Sequence, residues 1–354
     1  MQKNHHKGYL SRINILSVRR LMIKNKLLHF IKTILLLLPI VSMAQHIELI
    51  EQNKPVSIRG LSVVDDNVAW ISSSKGYIAI TIDGGKSWNW QQVKGYEKSD
   101  FRDIEAFSAK EAAIMSSGTP AMILKTTDGG NTWKANYRKN DSTYFLDAMD
   151  FISRKHGFAM GDPIKNKFLI LETKNGGDSW TAIDDPDAIK DQAAFAASGT
   201  CLMVHDKITF VTGGCSVEII SKTQSGWKHT ALPILHGQSS QGAFSVTANN
   251  KRWIIVGGDY KIDKRRDSIA CYSADNGLSW HLANSFPSGY QSCVDVIGTD
   301  IFLSTGTAGT NISIDGGKNW KQIDDKSFNV CRKAKHGKLV VLAGDGGKIG
   351  ILRK

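Results

Sequence analysis

Thr81-Ile82-Asp83-Gly84-Gly85-Lys86-Ser87-Trp88 decides the fold, because the same chemistry returns along the chain. It recurs as Thr126-Thr127-Asp128-Gly129-Gly130-Asn131-Thr132-Trp133 and as Thr173-Lys174-Asn175-Gly176-Gly177-Asp178-Ser179-Trp180. Two later copies are Ser273-Ala274-Asp275-Asn276-Gly277-Leu278-Ser279-Trp280 and Ser313-Ile314-Asp315-Gly316-Gly317-Lys318-Asn319-Trp320. A shortened copy, Ser221-Lys222-Thr223-Gln224-Ser225-Gly226-Trp227, fills the one gap, so the steps between Asp positions are 45, 47, 48, 52 and 40 residues. Such a residue set suits a turn between antiparallel strands. Asp or Asn accepts backbone hydrogen bonds a few residues on, the glycines supply positive φ, and Trp folds back over the turn.

These segments resemble the Asp-box, S/T-x-D-x-G-x-T/S-W, of sialidases, sortilin-type receptors and several glycoside hydrolases. The resemblance implies that the box residues lie on an outer hairpin and are structural. A period of 40 to 52 residues fits one four-stranded blade of a β-propeller. A first strand is expected upstream of every box, over Ile58–Val63, Phe101–Phe107, Phe145–Phe151, Ala193–Ser198, Gln241–Val246 and Tyr290–Val296. A seventh, Phe328–Lys333, follows the last box, with Lys338–Ala343 and Lys348–Leu352 after it, which leaves one blade short of an outer strand. His46–Glu51 has strand alternation and no other partner, so it is expected to close that blade. The expected fold is therefore all-β, a seven-bladed propeller of four-stranded blades over residues 45–354; the alternative is six blades plus an ordered extension.

Composition agrees. Across 354 residues, 41% hydrophobic and 22% charged content exclude a disordered chain, and 33 Gly against 7 Pro favour short strands joined by tight turns. The net charge of +12 sits mostly in residues 1–44, which carry eight Lys or Arg and no acid; from Gln45 onward 37 basic residues face 33 acidic ones, a balance of +4. A nucleic-acid role is not expected on that balance. Residues 1–44 read as a signal peptide: a basic stretch, an apolar run Thr33–Val41, then Ser42-Met43-Ala44 for cleavage, with Met22 as an alternative start. The run is too short for a stable membrane span, and no Cys follows Ala44 to take a lipid. The mature chain is expected to be exported, periplasmic or extracellular, and monomeric. Its five cysteines form no disulfide framework; if one pair forms, Cys293 with Cys331 is expected, since both sit on inner strands of adjacent blades.

Over its mature length the sequence resembles bacterial secreted proteins related to the photosystem II stability and assembly factors. The carriers are the DGG-x-S/T-W boxes, Ser57-Ile-Arg-Gly-Leu-Ser-Val-Val64, Phe101-Arg-Asp-Ile-Glu-Ala106 and Ile123-Leu-Lys-Thr-Thr-Asp-Gly-Gly130. The resemblance implies a non-enzymatic scaffold that binds a protein or peptide partner. Some similar sequences carry an oxidoreductase label.

Candidate ligand-binding residues follow from the fold. Arg59, Arg102, Asp103, Asp147, Gln241, Gln291 and Arg332 lie on inner strands lining the channel, where a charge must be hydrated or paired. Three arginines converging there suit a carboxylate or another anion. The bland alternative is a wet channel in which Arg102 pairs with Asp103 and Asp147. On the face opposite the boxes, the loop Gly257–Asp267 offers Tyr260, Lys264, Arg265 and Arg266 to an acidic protein segment or an anionic glycan, or it is simply a solvated tip. A sialidase-like hydrolase lacks an assignable Tyr and Glu pair. Gly344-Asp-Gly-Gly-Lys-Ile-Gly350 breaks the dinucleotide-binding spacing, and the histidines show no HExxH or HxH pattern, so no cofactor and no metal are expected. The two readings are a partner-binding propeller and, alternatively, an acidic-glycan-binding or glycoside-hydrolysing one.

Overall fold

The computed structural model describes residues 45–353. The expected signal peptide lies outside them. Seven four-stranded antiparallel blades form the ring, and no helix occurs among the described residues. Blade 1 comprises Ile58–Val63, Ala69–Ser73, Tyr77–Thr81 and Asn89–Gln92; blade 2, Phe101–Ala106, Ala112–Ser116, Ala121–Thr126 and Lys134–Lys139. Blade 3 comprises Leu146–Phe151, Gly157–Ile164, Lys167–Thr173 and Thr181–Ala182; blade 4, Leu202–Val204, Ile208–Val211, Glu218–Thr223 and Gly226–Ala231. Blade 5 comprises Gln238–Asn249, Arg252–Asp259, Ala270–Ser273 and His281–Leu282; blade 6, Cys293–Gly298, Ile301–Gly306, Gly309–Ser313 and Lys321–Asp324. Blade 7 combines Val330–Lys333, Val340–Gly344 and Lys348–Arg353 with His46–Glu51, whose register runs from His46 opposite Arg353 to Glu51 opposite Ile349. Chain closure is thus by the N-terminal strand, and the six-blade alternative falls.

The turn segments explain why these strands form hairpins. In blade 1 the Thr81 hydroxyl donates to Asp83 Oδ1 (2.8 Å) and accepts from the Gly85 amide (2.9 Å), while Asp83 accepts the Ser87 amide (3.0 Å) and hydroxyl (2.6 Å). The same bonds recur around Asp128, Asp275 and Asp315, and around Asn175 except that its Nδ2 donates to the Ser179 hydroxyl (2.9 Å). Gly84 and Gly85 stand at φ of 76° and 83°, a region other residues resist. The shortened copy differs. Ser221–Trp227 is a plain hairpin in which Thr223 pairs with Gly226.

The core lies between blades. Trp70 and Ile78 of blade 1 pack on Ile104 and Ile114 of blade 2, and Phe168 of blade 3 meets Phe210 of blade 4 edge to face at 5.1 Å. Each such side chain, wholly buried, contributes about 1.5–3 kcal/mol.

One expected strand is absent from its place. Ala193–Ser198 is not the inner strand of blade 4, which begins at Leu202. Gln192–Ala193 pairs instead with Gly213–Gly214 beside blade 5, and the following residues cross the hub. Ser198 donates to the Ser292 carbonyl (2.7 Å) beside blade 6 and Thr200 to the Ser245 hydroxyl (2.6 Å) of blade 5. Gly199, at φ 68°, lies so close to Asp103 that a Cβ would overlap its carboxylate. Residues 193–200 are therefore a plug. Tertiary bonding overrides their strand-like composition.

Thr81→Val and Asp83→Ala should each lower Tm, and the double variant should lose less than their sum because they share the same bonds. Ser87's hydroxyl and amide pull the Asp83 carboxyl from 3.8 to about 2, so its stabilisation is present above pH 3.8 and lost as pH falls through about 2. The Tm difference between Asp83→Ala and the parent should accordingly shrink in thermal melts taken towards that pH. Deleting residues 46–51 should lower Tm and expose the Lys348–Arg353 edge, giving concentration-dependent association by light scattering; a monomer of unchanged Tm would contradict the closure.

Candidate functional site

The site begins with a local irregularity shared by four inner strands. In blade 1, Ile58 pairs with Ser73 and Gly60 with Ser72, leaving Arg59 as the extra residue of a β-bulge. Arg102 occupies the same place in blade 2, Asp147 in blade 3 and Phe244 in blade 5. A bulge re-aims the side chain of its extra residue. Arg59, Arg102 and Phe244 point into one cavity of about 430 Å³ at the channel mouth, on the face away from the DGG turns.

The plug forms its floor. Arg59 Nη1 donates to the Ala197 carbonyl (3.3 Å) and Arg102 Nη1 to the Ala196 carbonyl (3.5 Å). Arg102 also donates to Asp100 (2.7 Å) and lies over the Phe145 ring at 5.9 Å. Phe195 of the plug stacks on Phe244 at 3.9 Å, and Tyr260 and Tyr290 meet Phe244 edge to face at 6.3 and 4.8 Å. Tyr260 remains 47% exposed, an aromatic wall open to a ligand.

Two acids complete the mouth. Asp345 accepts from Asn329 Nδ2 (2.9 Å) and from the Ser57 hydroxyl. Burial opposes its charge, but these bonds together with Arg59 and Lys348 hold its carboxyl below the ordinary value. Asp162 is pushed up to about 6 by burial, only partly offset by the bond it accepts from the Ala194 amide. The mouth therefore combines two arginines, two acids and an aromatic cluster.

Other expected residues lie elsewhere. Asp147 is fully buried behind the plug, and burial and Asp162 push its carboxyl well up, against the pull of Arg102. Asp103 accepts the Ile104 amide (2.8 Å) and the Met149 amide (2.7 Å) of blade 3, yet burial raises its carboxyl well above the ordinary value. Gln241 donates to Asp259 (3.0 Å), and Gln291 is consumed by Ser304, Asn311 and nearby carbonyls; both are buried. Arg332 does not join Arg59 and Arg102. It lies below the plug in a separate cavity of about 150 Å³, among Asp103, Asp150 and Asp295, so the three arginines do not converge.

In the Gly257–Asp267 loop, Lys264 is exposed, but Arg265 is forked onto Asp267 (2.8 Å twice) and Arg266 donates to the carbonyls of Pro287 (3.0 Å) and Phe286 (3.1 Å). Two of its four cations, Arg265 and Arg266, thus brace the loop. Cys293 and Cys331 face each other as thiols, Sγ to Sγ 3.8 Å. Residues not anticipated from sequence are Phe195, Phe244, Tyr290, Asp162 and Asp345. Phe244 is the extra residue of the blade 5 bulge but lies mid-strand, so its place needed the register to be seen.

Residues 41–139 match the family model described as Photosynthesis system II assembly factor YCF48. A Photosystem II assembly lipoprotein Ycf48 from Synechococcus sp. (strain CC9902) is 27% identical over 152 residues, 41% of this chain and 42% of the relative. The match thus spans less than half the length of that relative. Among solved structures, one described as YCF48 bound to D1 peptide shares the fold with a TM-score of 0.62 at 15% identity, covering 88% of this chain and 95% of its own. YCF48 from Cyanidioschyzon merolae gives 0.62 and 15%, covering 86% and 98%. The WD40 repeats of RRP9 give 0.59 and 12%, covering 87% and 98%, so the ring by itself does not single out one function. The chain resembles the photosystem II assembly factor propellers, by sequence in its first blades and by fold around the whole ring.

Proposed function

We propose that the chain is an exported, non-enzymatic propeller that holds a peptide segment of a protein partner at the channel mouth, with Arg59 and Arg102 gripping its acidic or carbonyl groups. The observation that carries the reading is the pair of guanidinium groups already donating to main-chain carbonyls of the plug, beside an open aromatic wall. That is how a peptide backbone or carboxylate would be received. Tyr260 supplies apolar contact, and exposed Lys264 adds positive charge to the same loop. The relative described as bound to D1 peptide, itself a propeller, supports a peptide ligand as a class.

The test is selection of binders from a displayed random peptide library, followed by calorimetry with the selected peptides. Arg59→Ala with Arg102→Ala should weaken binding roughly ten- to a hundredfold, the loss of one or two charge-assisted hydrogen bonds. Lys155→Ala, exposed on the opposite face, should leave it unchanged. Equal binding by the double variant would refute the mouth as the site. Binding confined to sialylated or sulfated sugars on a glycan array would favour the acidic-glycan reading instead.

Asp162 gives the proposal a pH signature. Its carboxyl is neutral below about 6 and negative above, within the cavity that receives the ligand. Affinity for an acidic peptide should therefore fall as pH rises through about 6, and Asp162→Asn, which still accepts from the Ala194 amide, should flatten that profile. The stability sign is the same. A raised native pKa makes the group's contribution present at low pH and lost as pH rises through about 6, so Asp162→Asn should also gain Tm at neutral pH relative to the parent.

A further inference from the structure

Three of the turns do more than end hairpins: in blades 1, 2 and 6 the second glycine packs onto the preceding blade. A Cβ on Gly85 would lie 2.8 Å from Ile351 of blade 7, on Gly130 2.9 Å from Ile78 of blade 1, and on Gly317 2.2 Å from Ile254 of blade 5. The turns of blades 1, 2 and 6 thus seal the seam between their own blade and the one before, whereas Gly177 and Gly277 meet Trp180 and Trp253 of their own blades. Blade 4 has no such turn. Its plain hairpin stands up from the ring at Thr223 and Gly226, and the seam between blades 3 and 4 stays open as a groove of about 430 Å³ on the face opposite the channel mouth.

The groove is apolar below and carries two lysines and one aspartate in its lining. Phe158, Val204 and Ile208 form the floor, and Ile152, 49% exposed, forms one wall. Phe158 occupies the strand position that Trp70 holds in blade 1 and Ile254 in blade 5, both of which are sealed by the next blade's turn. Lys207 and Lys222 stand at the rim; Lys222 also meets Asp184 at 2.8 Å, and Asp206, the acid in the lining, is paired with His205 at 3.1 Å. The volume suits a small molecule rather than a folded partner.

We propose that this unsealed seam is a binding site for a small amphipathic anion: an aromatic or aliphatic body against Phe158, Val204, Ile208 and Ile152, and a single carboxylate or sulfonate towards Lys207 and Lys222. The site is separate from the mouth and does not depend on the function proposed there. Its occupant takes the place that a Gly-Gly turn fills in the seams before blades 1, 2 and 6, with the rim lysines matching its charge.

The experiment titrates the full mature chain with anilinonaphthalene sulfonate, read by fluorescence and calorimetry, and with naphthalenemethanol as the uncharged comparator. One saturable site is expected, with the neutral comparator about tenfold weaker. Ile152→Glu should weaken the probe about tenfold or more, and Lys207→Glu should weaken it while sparing the comparator. Ile314→Glu, an exposed isoleucine on blade 6, should have no effect. Replacing Ser221–Trp227 by the sequence of Thr173–Trp180 rebuilds the turn and should abolish binding without lowering Tm. Should that graft fail to fold, the two point variants, at exposed Ile152 and half-buried Lys207, still decide the matter. Unchanged affinity in Ile152→Glu and Lys207→Glu would overturn the proposal, as would loss of the probe site in Arg102→Ala. A groove covered by a second copy in solution, seen as a dimer by light scattering that Ile152→Glu dissolves, would overturn it too.

Discussion

The ring holds together because polar groups on the inner strands of blades 1, 2, 3, 5 and 6 accept the backbone N–H of the next blade. Ser62 of blade 1 takes the Ala106 amide (3.0 Å), Asp103 of blade 2 the Met149 amide (2.7 Å), and Asp150 of blade 3 the Val204 amide (2.6 Å). Ser245 of blade 5 takes the Val294 amide (2.9 Å) and Asp295 of blade 6 the Lys333 amide (2.7 Å). Between blades 7 and 1, Asn329 donates to the Ile58 carbonyl (3.0 Å). These edges would otherwise leave buried amides unpaired, at about 1–3 kcal/mol each. Apolar packing between blades supplies bulk attraction, but it does not fix one blade's height against the next. The hub bonds do.

The same economy of residues explains the charge layers. Below the plug, the acids that clamp blades also surround Arg332, whose charge is held by Asp295, Asp103 and Asp150 against the cost of burial. That arginine is a counter-ion for structural acids. Above the plug no clamp is needed, because the bulged residues leave the ladder, so Arg59 and Arg102 remain available to bind. One strand thus carries a structural residue and a ligand-facing residue a few positions apart, separated only by how the bulge turns them.

How much of this was legible in the sequence depended on range. The turns were legible because their chemistry is local: Thr81, Asp83 and Ser87 bond within one segment, and Gly84 and Gly85 must tolerate positive φ. Seven blades and closure by His46–Glu51 followed from counting strands between those turns. The plug was not legible, since Ala193–Ser198 has the composition of an inner strand and only its partners across the hub, Arg59, Arg102 and Ser292, reveal otherwise. Nor was the sidedness of the arginines. Arg59 and Arg102 are second in their strands, whereas Arg332 pairs with Val341 at the level of Asp295, and a register is needed to tell these apart.

Blade 4 departs from the repeat at both ends, and the two departures have one physical permission. A closed ring constrains each blade from both sides, so a single blade can shed a standard element if its neighbours are tied by another route. At the hub the plug supplies that route: the Val246 amide donates to the Thr200 carbonyl (2.9 Å) and the Thr200 hydroxyl to Ser245, so blade 5 is secured by the plug rather than by a blade 4 clamp. At the rim, Trp227 Nε1 donates to the Asp184 carbonyl (3.0 Å) and Lys222 to its carboxylate (2.8 Å), tying the short hairpin to the segment that follows blade 3. With both attachments replaced, the inner segment is free to floor the mouth and the outer seam is free to stay open. The irregular blade is therefore where both faces of the ring acquire surfaces that a perfect repeat would have filled.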